Sequence, residues 1–276
     1  MLLAAAVLAA GGAGAQPPAP RAMSLDTCAD QFLLALADDA QIVAVSPLAE
    51  ENDSFLRAKA KRFPKARPNA EEILPRRPDV ALRVWGGTPK LADTLDRLGV
   101  KVVTLGYAAD FDAVKTNIRA AAEALGRRAR GEAMIADLDA RLAALAKRPL
   151  YPHAALYVTP GGVTAGAGTM IDSIFQAARV KNAAAEAGVA FWTPLPAEAL
   201  VLHPPSLIVT GFFTADRELI GHWSIARHPA LREIFSDTPT VHLSADTISC
   251  PAWFAVDAAE AIAAGVDAME RRHAAR

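Results

Sequence analysis

EEILPRRPDVALRVWGG, residues 71–87, has a counterpart 127 positions later in EALVLHPPSLIVTG, residues 198–211. At that offset Glu71 aligns with Glu198, Ile73 with Leu200, Pro78 with Pro205 and Val80 with Leu207. A proline fixes its own φ and pushes the residue before it out of the helical region. Each copy therefore reads as a short helix, a proline break, and a strand apolar enough to be buried on both faces of a parallel sheet. A helix-to-strand unit that occurs twice predicts two lobes of like construction.

Further strands are expected on either side of each copy, as short β-branched or aliphatic runs ending in turn residues. They are AMSL from Ala22, QIVAVS from Gln41, DVALRVW from Asp79 and KVVTLGY from Lys101, then AALYVTP from Ala154, SLIVTGF from Ser206 and TVHLS from Thr240. Helical patterns separate them. Between the two groups lies FDAVKTNIRAAAEALGRRARGEAMIADLDARLAALAKR, with apolar residues at helical spacing and breaks only at Gly126 and Gly131. This predicts a helix to about Leu125 and a second from about Arg130 to Lys147, stopped by Pro149 and Pro152. The fold class expected is α/β: two lobes with mainly parallel sheets joined by one long helix. The boundaries are 16–125 for the first lobe, 126–149 for the connector and 150–276 for the second.

A chain of 276 residues with 52% hydrophobic content is large enough for two such lobes. Its 29 basic residues against 30 acidic ones leave no excess positive charge for phosphates, so nucleic acid is not an expected partner. The start, MLLAAAVLAAGGAGAQPPAP, has an apolar run too short to span a bilayer and an A-x-A pattern at Ala13–Ala15. Residues 1–15 are read as a signal peptide cleaved before Gln16, giving an exported, soluble protein. Cys28 and Cys250 suit an oxidising compartment. Spacing alone leaves a disulfide and two separate buried thiols equally open.

In open parallel sheets, ligands bind outside the carboxyl ends of the strands. Trp85, Gly86 and Gly87 stand at such an end in the first lobe, and Gly211, Phe212 and Phe213 at its equivalent in the second. Tyr107, Trp192 and Trp253 follow other strands or lie in long loops. Aromatics make up only 6% of the chain, and broad rings at these places suit a large rigid ligand with an apolar face. Arg83, Lys90 and Arg217 are basic candidates near the same exits, arginine being suited to bidentate recognition of carboxylates. Cys28 and Cys250 would also lie near the cleft, where a bond between them would tie the lobes together.

Several other chemistries find little support. The histidines show no close H-x-x-x-H spacing, and a direct transition-metal site needs several converging ligands. GGVTAGAG, residues 161–168, lacks the Gly-Lys-Ser/Thr ending of a phosphate loop. No G-x-S-x-G or H-E-x-x-H motif occurs. Neither a cofactor nor catalysis is expected.

In order along nearly the whole mature chain, the sequence resembles the periplasmic substrate-binding proteins of ABC importers for iron-siderophores, haem and vitamin B12. The segments that carry the likeness are MSLDTCADQFLLALA from Met23, QIVAVSP from Gln41, EEILPRRPDVALRVWGG, and LADTLDRLGVKVVTL from Leu91. They continue with YVTPGGVTAGAGTMIDSIFQAARVKN from Tyr157, LPAEALVLHPPSLIVTG, and SADTISCPAWFAVDAAEAI from Ser244. The resemblance implies two Rossmann-like lobes on one long helix with limited closure. It also implies a metal chelate or corrinoid such as cobalamin held between them, and delivery by a monomer to an inner-membrane ABC permease. In the vitamin B12 binder a glutamate follows the Gly-Gly pair by three residues; here that position is Lys90. A two-lobed chelatase-like enzyme and a direct transition-metal binder are the alternatives.

Overall fold

The computed structural model describes residues 19–86, 89–195, 204–212 and 237–275. The signal-peptide segment, Gly87, Phe213, Arg217 and the Glu198–His203 half of the second repeat copy lie outside these residues.

The first sheet holds β1 (Ala22–Ser24), β2 (Ile42–Ala44), β3 (Val80–Val84) and β4 (Lys101–Leu105), all parallel, in the order β2-β1-β3-β4. Between and around them run α1 (Thr27–Leu36), α2 (Arg57–Ala60), α3 (Ala70–Ile73) and α4 (Pro89–Arg97). Then come α5 (Phe111–Ala124) and α6 (Arg128–Ala146), the long pair anticipated from the apolar spacing. The second half has β5 (Ala154–Val158), β6 (Val163–Ala165), α7 (Met170–Ala177), β7 (Lys181–Asn182), α8 (Ala183–Glu186), β8 (Trp192–Pro194), β9 (Leu207–Thr210) and β10 (Thr240–His242). The chain closes with α9 (Ala245–Ile248) and α10 (Ala255–Ala274).

The second parallel sheet has the order β7-β5-β9-β10. Taken in chain order within each half, both sheets read second-first-third-fourth, so the two halves share one topology. The chain is two Rossmann-like α/β lobes with mainly parallel sheets joined through a long helix. One feature escaped the sequence: β6 and β8 pair antiparallel, and β7 adds a two-residue edge to the second sheet. Strands of two or three residues carry no alternation long enough to be read.

Side chains alternate between faces along each strand. In β3, Val80 and Leu82 enter the main core while Ala81 enters a smaller cluster with Met23, Ala44 and Leu95. In β5 and β9, Ala155, Tyr157, Leu207 and Val209 join the main core, whereas Leu156, Val158 and Ile208 form a third cluster. The main core is continuous through both lobes, with Ile118 of α5, Leu138 of α6 and Ile262 of α10 buried in it. A shared core makes independent motion of the lobes costly. Gly131 is where α5 and α6 close up, since a Cβ there would stand 2.5 Å from the Ala122 Cβ.

Candidate functional site

The carboxyl ends of the two sheets face each other, and short polar side chains fix the backbone there. Asp26 caps α1 by accepting from the Ala29 N–H at 2.8 Å, and its other oxygen accepts from the Val84 N–H at 2.9 Å. One carboxylate therefore locks the β1 exit to the β3 exit, next to Trp85. Asn117 of α5 does the same at β4: it accepts from the Gly106 N–H at 2.8 Å and donates to the Gly106 carbonyl at 2.9 Å, beside Tyr107. In the second lobe, Asn182 donates to the Ala165 carbonyl at 2.9 Å and to Asp172 at 3.0 Å, which holds β6.

On this frame the first lobe presents Trp85 and Tyr107, 55% and 41% exposed, with ring centroids 5.1 Å apart edge to face. The second lobe presents Trp192 and Phe212, 49% and 36% exposed. Trp192 stands edge-on to the fully buried Tyr157 at 6.0 Å. Gly211 is required where it stands, because a Cβ would lie 2.3 Å from the Tyr157 hydroxyl and 2.4 Å from Ile248. The lobes meet at the Tyr107 hydroxyl, which donates to the Gly168 carbonyl at 3.0 Å.

Two cavities open here. One of about 470 Å³ lies between the lobes, lined by Thr27, Leu48, Asp53, Phe212, Ser249 and the Cys28–Cys250 pair. A smaller one of about 200 Å³ sits where β1 and β3 diverge, lined by Asp26, Arg83, Trp85 and Leu91 among others. That is the point at which the strand order reverses, the usual ligand crevice of such sheets. Arg83 is 8% exposed and its Nε donates to the Val84 carbonyl at 3.3 Å. Among the described residues it pairs with no carboxylate, which leaves its guanidinium available to an anionic group in that cavity. Gly86 also lines the small cavity, while Lys90 is exposed on α4 and is not among the residues lining it.

Cys28 and Cys250 are joined in a disulfide, with Cα atoms 5.4 Å apart. Around it the segment after β10 packs onto the first lobe. Arg57 pairs with Asp246 at 2.7 Å, the Ser249 hydroxyl donates to the Asp53 carbonyl at 2.6 Å, and Phe55 stacks on Phe254 at 4.2 Å. Trp253 belongs to this seam. A ligand-binding candidate by sequence, it has its ring edge-on to Phe32 at 5.7 Å and to Phe55 at 6.4 Å. Both contacts are with the first lobe, so the residue after the disulfide serves as packing where the two lobes join.

Asp30 is a buried carboxyl next to this region, accepting from Ser24 and from the Ser46 N–H at 2.8 Å and hydroxyl at 2.5 Å. Burial raises its pKa to about 6 against those hydrogen bonds, which pull it down. Asp26 and Asn117 were missed as site-shaping residues in the sequence, because they work through backbone contacts that no motif announces.

The family model described as periplasmic binding protein matches residues 23–233. The chain belongs to the periplasmic binding protein family. Among solved structures, the periplasmic heme-binding protein RhuT from Roseiflexus sp. RS-1, in apo form, is similar to this family member with 25% identity and TM-score 0.71, over 90% of this chain and 97% of that one. The periplasmic heme-binding protein HutB of Vibrio cholerae shares 19% identity with TM-score 0.72, over 89% of this chain and 98% of that one. The periplasmic vitamin B12-binding protein BtuF of Vibrio cholerae shares 20% identity with TM-score 0.65, over 92% of this chain and 98% of that one. No curated protein matches this periplasmic binding protein in sequence.

Proposed function

We propose that this periplasmic binding protein captures a metal chelate with a broad apolar face, an iron-siderophore, haem or a corrinoid such as cobalamin, and delivers it to an inner-membrane ABC importer. The observation that carries the reading is the set of exposed aromatics that both lobes present, Trp85 and Tyr107 after strands of the first sheet, Phe212 after β9 of the second and Trp192 at the start of β8. Exposed aromatics of this size are costly in water unless a partner covers them. Arg83 in the adjoining cavity, which pairs with no carboxylate among the described residues, suits a carboxylate arm of such a ligand. The likeness to the Roseiflexus heme-binding protein points the same way.

In this reading residues 16–125 and 150–276 are the two lobes, 126–149 the connector, and 1–15 a leader removed on export. The carrier works as a monomer and performs no chemistry on its cargo. Absorption and tryptophan-fluorescence titrations with hemin, cyanocobalamin and ferrichrome test the binding. Saturable one-to-one uptake of one of them with no turnover is expected. Failure to bind any, isolation from the periplasm with a bound nucleotide, or turnover of a chelate would overturn the proposal. The mature protein should begin at Gln16 by intact mass.

A further inference from the structure

The residue entering β8 has the largest exposed fraction of any large hydrophobic side chain among the described residues. Phe191, immediately before β8, is 60% exposed, and its φ is +57°. That left-handed conformation is unusual for a bulky residue, which has a Cβ to clash. The backbone is held there from both sides: the Phe191 N–H donates to the Ala167 carbonyl and the Phe191 carbonyl accepts from the Gly166 N–H, each at 2.9 Å. Gly166 cannot be replaced without disturbing this clamp, since a Cβ there would stand 2.0 Å from the Val189 carbonyl oxygen. A fold that clamps an aromatic residue in a strained backbone and leaves most of its ring in water gains little packing from it. Such an arrangement is typical of positions kept for binding.

The ring's neighbours say what it would bind. Phe191 Cε1 lies 3.4 Å from where a Gly168 Cβ would be, and the Gly168 carbonyl is the atom that Tyr107 reaches from the first lobe. Tyr107 in turn stands against Trp85. Trp85, Tyr107 and Phe191 thus run in sequence from one lobe to the other. The order of strands places this run at the β4 end of the first sheet, whereas the disulfide follows β1 and joins the segment after β10. The β1/β2 end of the cleft is closed by a covalent bond, an ion pair and stacked rings; at the Tyr107 contact, among the described residues, a single hydrogen bond joins the lobes. A ligand seated beside that contact meets Phe191.

We propose that Phe191 is a ligand-binding residue of the second lobe, an aromatic platform beside the Tyr107–Gly168 contact between the lobes, for the planar face of the chelate. This rests on the carrier reading above and adds a residue to it. The test uses the full mature protein and whichever of hemin, cyanocobalamin and ferrichrome wild type binds most tightly. Phe191→Ala and Phe191→Gly are each expected to weaken that binding roughly ten- to hundredfold, as loss of one stacking aromatic does, and Phe191→Tyr to retain it. Glycine accepts a positive φ at no steric cost, so Phe191→Gly should melt above Phe191→Ala; that difference reports the backbone alone, while the ring's own packing is read from how far both variants melt below wild type. Affinity within twofold of wild type in both variants overturns the inference and leaves the carrier reading intact. So does a binding loss matched in both variants by a fall in melting temperature, which makes the ring a packing group. If wild type binds none of the three probes, both readings fall.

Discussion

Removing the disulfide by Cys28→Ser with Cys250→Ser should lower stability more than any other change at the surface of the cleft. The bond joins positions 222 residues apart. An ideal chain closed over a loop of that length loses enough conformational entropy in the unfolded state to stabilise the folded one by about 5 kcal/mol. That is a large share of the roughly 5–15 kcal/mol by which domains are stable. The folded seam keeps its other contacts in the variant, namely Arg57 with Asp246, Ser249 with Asp53, and Phe55 on Phe254. The lobes should therefore stay associated and the secondary structure stay unchanged. Urea unfolding of wild type and the double-serine variant measures the difference, and the denaturant slope should rise because the uncrosslinked unfolded chain exposes more surface. Amide exchange in residues 46–57 and 244–254 should quicken, since these segments flank the bond. Two results refute the reasoning: two free thiols per chain in the denatured, unreduced wild type, or a free energy of unfolding that changes by less than about 1 kcal/mol on removing both cysteines.

Three further perturbations follow from the geometry. Trp85→Ala removes an exposed ring, so it should cut chelate affinity by a few kcal/mol while shifting the melting temperature little; a large stability loss with unchanged affinity would make Trp85 a core residue. Asp30 has its pKa raised by burial from 3.8 to about 6, so between those values the folded chain keeps a proton that the unfolded chain has released. Stability from this group is present below pH 3.8 and is lost as pH rises through about 6, by an order of 2–3 kcal/mol. Asp30→Asn, whose amide oxygen can still accept from Ser24 and the Ser46 N–H, should flatten that fall and be the more stable protein at pH 7.5; parallel pH profiles for the two would refute it. The Tyr157 hydroxyl is buried with no hydrogen-bond partner among the described residues, so Tyr157→Phe should raise stability by about 1 kcal/mol, and a lower denaturation midpoint would show that the hydroxyl has a use.

Much of the architecture was legible because it rests on local patterns. Buried strands such as VALRV and LIVT are continuous apolar runs, and α5 and α6 repeat their apolar residues at helical spacing for several turns. Both signals survive in a single sequence because each follows from the burial of one element. The proline-to-strand repeat foretold two lobes, and the aromatic residue types at strand ends marked candidates that the structure leaves exposed. The β6–β8 pair was not legible, because three-residue strands are stabilised by their partner rather than by their own pattern. The site divided along the same line. Residue type marked Trp85, Tyr107, Trp192 and Arg83 as candidates, but Trp253 looked no different from them in sequence. Only the packing of the segment after β10 against Phe32 and Phe55 turned it into part of the seam. The pairing of Cys28 with Cys250 likewise depended on where two chain segments 222 residues apart come to rest. Composition and periodicity are properties of a segment and can be read along it; which segments touch is settled by how the whole chain buries its apolar surface.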